Sequence, residues 1–252
     1  FTSEKAKNAT KAIQSTAEFL KESTEIESLS NSNFVDSIRD FSELKASRSC
    51  LECALLDLES KREQKSFLNK LGGGHSHILL DGPIGLESPG DAIKKATQYL
   101  SEGISTVKVK IGVNVKEDAN RVIAIREKFG DKINIRMDAN GGYTDNEVFE
   151  FCDLILPLKI EHFEQPVLPS NKRCFEILRK IRTMGIPVAV DESLFSIQDA
   201  EILIQEDALD IGVIKISKFG GLIIAKEITN LLESAGKKCI VSASYESLIG
   251  KS

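Results

Sequence analysis

Thr106-Val107-Lys108-Val109-Lys110 is the stretch on which the fold turns. Its β-branched residues and period of two predict a strand. Strand side chains alternate, so Lys108 and Lys110 share one face and Val107 and Val109 the other. A lysine on an inward face needs a partner, because burying an unpaired ammonium costs several kcal/mol. An edge strand with two solvated lysines is the competing explanation, and the pentapeptide alone leaves the two level. The strands that follow break the tie. Four of them close on a charged residue: Asp138, Glu164, Asp191 and Lys215.

Working outward, the chain beyond His77 alternates strand and helix. Predicted strands are Ile78 to Ile84, Val107 to Ile111, Ile133 to Asp138, Ile160 to Glu164, Val188 to Asp191, Ile211 to Ile216 and Cys239 to Ala243. The helices between them run from Ser88 to Leu100, Val115 to Phe129, Asp145 to Leu156, Asn171 to Met184, Ser196 to Glu206 and Leu222 to Ala235. Ser88-Pro89 places proline in a first turn, Asp145 and Ser196 suit N-caps, and Gly185 and Gly236 suit helix stops. Repeated βα units imply a parallel sheet, either a closed (β/α)8-type barrel or doubly wound. No Gly-x-Gly-x-x-Gly follows the first strand, which counts against a dinucleotide fold. Charges recurring at C-terminal strand ends favour the barrel, whose chemistry sits on that rim. The count is one strand short, and the chain stops at Lys251-Ser252 just after a strand, so a missing C-terminal segment is inferred. Phe1 is not a methionine, and a trimmed chain is expected.

Residues 1–74 read as a partial helical domain with a linker, and residues 75–252 as the barrel. Ala6 to Leu20 is helical, a Ser/Asn-rich break follows around Ser28 to Asn33, and another helix runs through Cys50 and Leu58. Leu71-Gly72-Gly73-Gly74-His75-Ser76-His77 lacks a preceding strand and a following Gly-Lys-Ser/Thr, so it is expected to be a flexible linker with exposed histidines, not a phosphate cradle. Cys50 and Cys53 form a lone Cys-x-x-Cys at helical spacing, expected to be buried on a helix, with no second pair to hold zinc.

The 252 residues are 41% hydrophobic and 28% charged with net charge −5, an ordinary globular composition without an electrostatic case for nucleic acid or an anionic membrane. No apolar run approaches the roughly 20 residues of a membrane span. Five cysteines without disulfide-framework spacing suit a reducing compartment, and a cytoplasmic location is expected.

Parity sets Asp138, Glu164 and Asp191 at strand ends with inward neighbours Arg136, His162 and Ala189. Three converging carboxylates repel one another unless a cation stands between them. An all-oxygen set suits Mg2+ or Mn2+. Asn140 and Gln165, just beyond the acids, suit hydrogen bonds that hold them. Lys110 and Lys215 would flank the metal from opposite sides, where a nearby cation disfavours their ammonium forms and frees an amine base. Such a metal would hold a substrate carboxylate and stabilise the enediolate formed when the α-proton leaves. Lys218, in the loop Ser217-Lys218-Phe219-Gly220-Gly221, is expected to be a solvated loop lysine.

These residues resemble the enolase superfamily, in particular its muconate-lactonizing-enzyme subgroup. The resemblance lies in Lys108-Val-Lys110, Asp138-Ala-Asn140, Glu164-Gln165-Pro166, Asp191-Glu192-Ser193 and Lys215-Ile-Ser-Lys218-Phe-Gly220-Gly221, and covers the chain from about Ser49 onward. It implies a capping domain over a modified (β/α)7β barrel, here lacking its last strand and much of the cap. It also implies Mg2+ on Asp138, Glu164 and Asp191, acid/base lysines at Lys110 and Lys215, Lys108 supporting near the substrate carboxylate, a small-molecule carboxylate substrate and a tendency to form homo-oligomers. Glu192 and Glu246 join Asn140 and Gln165 as candidates to support the site or touch substrate. Within the subgroup, Ser242-Ala-Ser244-Tyr245-Glu246-Ser247 leans toward o-succinylbenzoate synthases. The loop after Lys215 leans toward cycloisomerases and dipeptide epimerases. The expected function is therefore an Mg-dependent epimerase or cycloisomerase, with a synthase-type lyase or a non-catalytic truncated relative as alternatives. A metal-dependent aldolase or hydrolase is disfavoured, since there is neither a spaced histidine pair nor a nucleophile elbow.

Overall fold

The structure, a computed structural model, describes residues 44–70, 72–73 and 78–243, with a few helical positions between 7 and 14. Its strands are β1 (Gly82–Ile84), β2 (Thr106–Lys110), β3 (Asn134–Asp138), β4 (His162–Glu164), β5 (Val188–Val190), β6 (Ile211–Ile214) and β7 (Lys238–Val241). The main helices are α1 (Lys45–Arg62), α2 (Phe67–Lys70), α3 (Pro89–Ser101), α4 (Val115–Phe129), α5 (Asp145–Ile155), α6 (Cys174–Thr183), α7 (Ile197–Gln205), α8 (Ile216–Phe219) and α9 (Leu222–Ser234). The strands form one seven-stranded sheet in chain order, parallel from β1 through β6. A doubly wound sheet reverses its order at a switch point, and this order never does. The class is α/β, with the strand order of a barrel.

Two compact units divide the chain. One comprises His77–Val213 with Leu231–Ile240; the other comprises Phe1–Ser76, Ile214–Asn230 and Val241–Ser252.

Strand parity builds the core of the larger unit. Val107 and Val109 are fully buried, while Thr106, Lys108 and Lys110 alternate on the other face of β2. Each buried valine contributes roughly 1.5–3 kcal/mol of apolar burial. They share the interior with Ile135, Met137 and Phe163 from the strands and Val122, Ile125, Phe151 and Ile155 from α4 and α5. Phe163 also meets Phe151 at 5.5 Å and Tyr143 at 6.3 Å between ring centroids.

Several predicted boundaries shift. The first strand was expected from Ile78, yet only Gly82–Ile84 pairs, in register with Val107–Val109. That register sets Asp81 level with Thr106, where β2 begins, so residues before it have no strand of β2 beside them. Ile78, Leu79 and Leu80 are accordingly exposed at 85%, 97% and 66%. The sixth strand was expected to reach Ile216 but stops at Ile214, because Ile216 already enters α8. Thr144, not Asp145, caps α5, in a capping box with Glu147. Ser196 caps α7 as expected, Pro89 stands in the first turn of α3 as expected, and Ser88 caps that helix. Cys50 is exposed and Cys53 half-buried, against the expectation of buried helix cysteines: the buried positions of α1 are Ser47, Ser49, Glu52 and Ser60. His75 and His77 lie outside the described residues.

Candidate active site

The rim begins with register. β2 sets Lys110 opposite Asp138, and β3 sets Asp138 opposite Glu164. Three charged side chains thus stand in one row across adjacent strands, and strand pairing alone put them there. One residue pair below, Lys108 lies opposite Arg136 and Arg136 opposite His162. Asp191 follows β5 two residues beyond Ala189, the partner of Glu164.

Lysines and acids engage directly. Lys108 Nζ lies 3.0 Å from Asp138 Oδ2 and 2.8 Å from Glu164 Oε2, and donates to Glu164 Oε1 at 2.9 Å. Lys110 Nζ donates to the same Asp138 Oδ2 at 2.9 Å. Asp138, Glu164 and Asp191 are all buried, whereas the Lys110 side chain is 41% exposed. Burial opposes a charged Lys108, but the Glu164 and Asp138 carboxylates outweigh it and hold its ammonium well above the usual lysine range. Asp138 is also desolvated, yet the charges of Lys108 and Lys110 pull its carboxyl below the ordinary value. Glu164 goes the other way. Burial, then the Asp138 charge, push it up to about 7 against the pull of Lys108, and Asp191 adds to the rise.

The residues following the acids hold them. Asn140, at φ +44°, donates its backbone N–H to Asp138 Oδ1 at 3.0 Å and its side-chain amide to Glu192 Oε1 at 2.8 Å. Gln165 is fully buried at φ +38°. Its Oε1 accepts the amides of Asp191 at 3.2 Å and Ser193 at 3.0 Å, while its Nε2 donates to Val167 O and Ser193 Oγ. Two non-glycine residues in left-handed backbone, one two positions after Asp138 and one directly after Glu164, are the sort of strain that gathers at functional sites.

A cation fits this donor set. Glu164 is fully buried, its Oε2 is met by the Lys108 ammonium at 2.8 Å outside good hydrogen-bond geometry, and two further carboxylates raise its proton affinity. Oxygen-only donors of this kind suit a hard divalent ion. Among the described residues no three acidic, histidine or cysteine side chains already form a finished cation cage, and the Lys108 ammonium bridges two of the acids.

Lys215 directly follows β6 as the N-cap position of α8 and is buried at 5% exposure. Lys218 corrects an expectation: it is buried at 3%, not solvated, with Nζ 4.9 Å from the Phe219 ring centroid. The compact turn of α8 tucks it in where an open loop would have exposed it. Glu246 lies outside the described residues.

Sequence reasoning missed Asp118 and placed His162 inward without giving it a role. Asp118 Oδ2 accepts the amides of Gly112, Val113 and Asn114 and the Tyr143 hydroxyl, at 2.9 to 3.1 Å, tying down the loop after Lys110. An acid in the first turn of a helix is too common to stand out in sequence. His162 is completely buried with neither ring nitrogen hydrogen-bonded. Burial, with help from the positive charges of Arg136 and Lys108, pushes its pKa down to about 3, so it is a neutral imidazole.

A family model described as enolase C-terminal domain-like matches residues 91–251. The hydrophobic dipeptide epimerase of Enterococcus faecalis is 31% identical over 202 residues, 80% of this chain and 56% of that protein. The D-Ala-D/L-Ala epimerase of Cytophaga hutchinsonii is 34% identical over 205 residues, 81% of this chain and 55% of the relative. The chain thus spans little more than half the length of these curated relatives. A solved dipeptide epimerase from Cytophaga hutchinsonii, complexed with Mg and the dipeptide D-Ala-L-Val, matches with a TM-score of 0.86 at 31% identity, covering 99% of this chain and 67% of that one.

Proposed function

Because this chain belongs to the enolase C-terminal domain-like family, in the muconate-lactonizing-enzyme-like subgroup of the enolase superfamily, we propose that it is the core of a modified (β/α)7β-barrel dipeptide epimerase. Its reaction would remove the proton α to a substrate carboxylate from one face and return a proton to the other. The observation that carries this reading is the row Lys110, Asp138, Glu164, with Lys108 bridging the two acids from below.

Asp138, Glu164 and Asp191 are the residues that would hold Mg2+, which when bound supplies positive charge against the negative charge developing on the substrate carboxylate. Lys110 is the better exposed of the two β2 lysines and takes or returns the α-proton at Nζ on one face. The opposite face is assigned to Lys215 from the sequence pattern it shares with the superfamily. Lys108, pinned as an ammonium between Asp138 and Glu164, keeps its proton and acts as fixed charge. The Asn140 amide holds the Asp138 carboxylate, and Gln165 fixes the backbone that carries Asp191.

The test is the α-proton of L-Ala-L-Glu and of hydrophobic dipeptides in D2O with Mg2+. Epimerisation washes deuterium into both stereoisomers. Lys110→Ala and Lys215→Ala should each abolish interconversion, while the remaining lysine still exchanges the epimer whose proton it faces. A dehydrated product without exchange would instead establish a synthase-type lyase, and full interconversion by either variant would rule out two bases.

A further inference from the structure

Glu52, on α1, is a carboxylate buried at 5% exposure on a helix whose other buried positions are serines. Its Oε1 accepts the amide of Ile223, a partner 171 residues away, at 3.2 Å. The acceptor therefore meets the first turn of α9, where unpaired amides and the helix dipole favour an anion. Its Oε2 is buried without a hydrogen-bond partner of good geometry and lies against Gly221, where an added Cβ would stand 1.5 Å from it. Gly221 sits at φ +142°, so no other residue fits between the acid and the backbone. One residue earlier, a Cβ on Gly220 would be 3.6 Å from Lys45 and Arg48, both also on α1.

The segment so held is the one that carries Lys215. The Lys215 carbonyl accepts the amides of Lys218 at 3.0 Å and Phe219 at 3.3 Å, and the Ile216 carbonyl accepts those of Gly220 at 3.2 Å and Gly221 at 3.1 Å. These bonds link Lys215 to Gly221, whose carbonyl accepts the Ala225 amide at 3.1 Å, so Lys215 stands at one end of the turn and Glu52, against Gly221 and Ile223, at the other. A buried carboxylate is a costly cap: burial raises the Glu52 pKa despite the amides of Ile223 and Leu222 and the charge of Arg48. A buried serine cap would close the helix without that cost. What the longer side chain adds is reach, from α1 to the far end of the Lys215 turn.

We propose that Glu52 is a positioning residue for Lys215, setting the Lys215 ammonium through the Gly220-Gly221 turn. The proposal rests on the reading of Lys215 as the proton carrier of one face. It predicts that loss of Glu52 damages that face alone.

Glu52→Ala and Glu52→Gln are compared with the parent in three measurements. They are thermal unfolding, lysine-by-lysine reductive methylation read by peptide mass spectrometry without metal, and Mg2+-dependent deuterium exchange of L-Ala-L-Glu and L-Ala-D-Glu. In Glu52→Ala, Lys215 should be methylated faster while Lys108 and Lys110 keep their parental rates. Exchange should fall about 10²-fold, the scale of a 1 Å misplacement, for the same single epimer that Lys215→Ala disables. Glu52→Gln keeps an acceptor for Ile223 and should restore most of both readouts. Where Glu52→Ala does not fold, Glu52→Asp, which withdraws the carboxylate by one methylene, is held to the same outcomes. Parental Lys215 labelling in a folded variant, or an equal fall for both epimers, overturns the proposal. If the parent exchanges neither epimer, the epimerase reading fails by itself, and Lys215 labelling alone decides for or against Glu52.

Discussion

Lys108 shows how much one side chain decides. Its neighbour Lys110 is two residues away on the same face, yet only Lys108 reaches two acids, because Asp138 and Glu164 lie opposite each other on adjacent strands and Lys108 projects from below them. With its side chain 20% exposed, the ammonium offsets carboxylates that are otherwise dry. Removing one partner of such a pair leaves buried charge uncompensated, which costs about 3–5 kcal/mol in dry surroundings, and the partial exposure here sets the expectation at about 3 kcal/mol. Lys108→Ala should therefore lower the urea midpoint markedly in EDTA, and Mg2+ should recover part of the loss by supplying the missing cation. An unchanged midpoint in EDTA would show that water already screens the two acids. The pairing was half legible in sequence: parity put both lysines on one face, but nothing in the spacing said which would reach Glu164.

At the scale of elements, the β2–α4 connection is organised around one acid. Asp118 accepts three consecutive amides of the loop that leaves Lys110, and Arg121 links it at 2.9 Å to a guanidinium that also donates to the Lys110 carbonyl at 3.0 Å and the Glu87 carbonyl at 2.7 Å. Gly112 completes the turn at φ +99°, with Ala139 O where a Cβ would go. Burial would raise the Asp118 carboxyl, but Arg121, the amides of Val113 and Asn114 and the Tyr143 hydroxyl reverse the balance and hold it below the usual range. A carboxyl depressed in the folded state contributes stability above its unfolded value of about 3.9, and loses it as pH falls through the lower folded value. Asp118→Asn should thus cost roughly 2–3 kcal/mol at pH 7. Its urea stability curve should converge on the parent's as pH drops below about 4, where the parent's own carboxylate is lost. Parallel curves across that range would show that the charge of Asp118 contributes nothing beyond its shape. Long βα spacings, strand parity and caps such as Ser196 were readable because each is a local preference. The stop of β6 at Ile214 and the burial of Lys218 were not, because both depend on α8, a single turn with no periodicity to detect.

Across the whole molecule, one of the acids that make the site legible in sequence, Glu164, also works against the fold. Charged residues closing successive strands pointed to one rim, and pairing in register brought Asp138 and Glu164 together there. The finer arrangement escaped, since Gln165 reaches from the end of β4 to the amides beyond β5 only once both strands are in place. Asp138, Glu164 and Asp191 are buried beside one another, and Glu164 is raised to about 7 by burial and by the other two. A neutral side chain of the same shape should relieve that repulsion, as stability and function often oppose each other at such sites. Glu164→Gln is accordingly expected to unfold at a higher temperature than the parent in EDTA. A ligand that binds only the folded state stabilises it by about 2.7 kcal/mol at a hundred times its dissociation constant. The parent should therefore gain stability steadily as Mg2+ is added, and Glu164→Gln, lacking one of the three charges that would hold the ion, should gain little. Scanning calorimetry across an Mg2+ series reads both effects in one experiment. A variant less stable than the parent in EDTA would mean that the Glu164 bond to Lys108 outweighs the repulsion, and an undiminished Mg2+ shift would remove Glu164 from the ligand set.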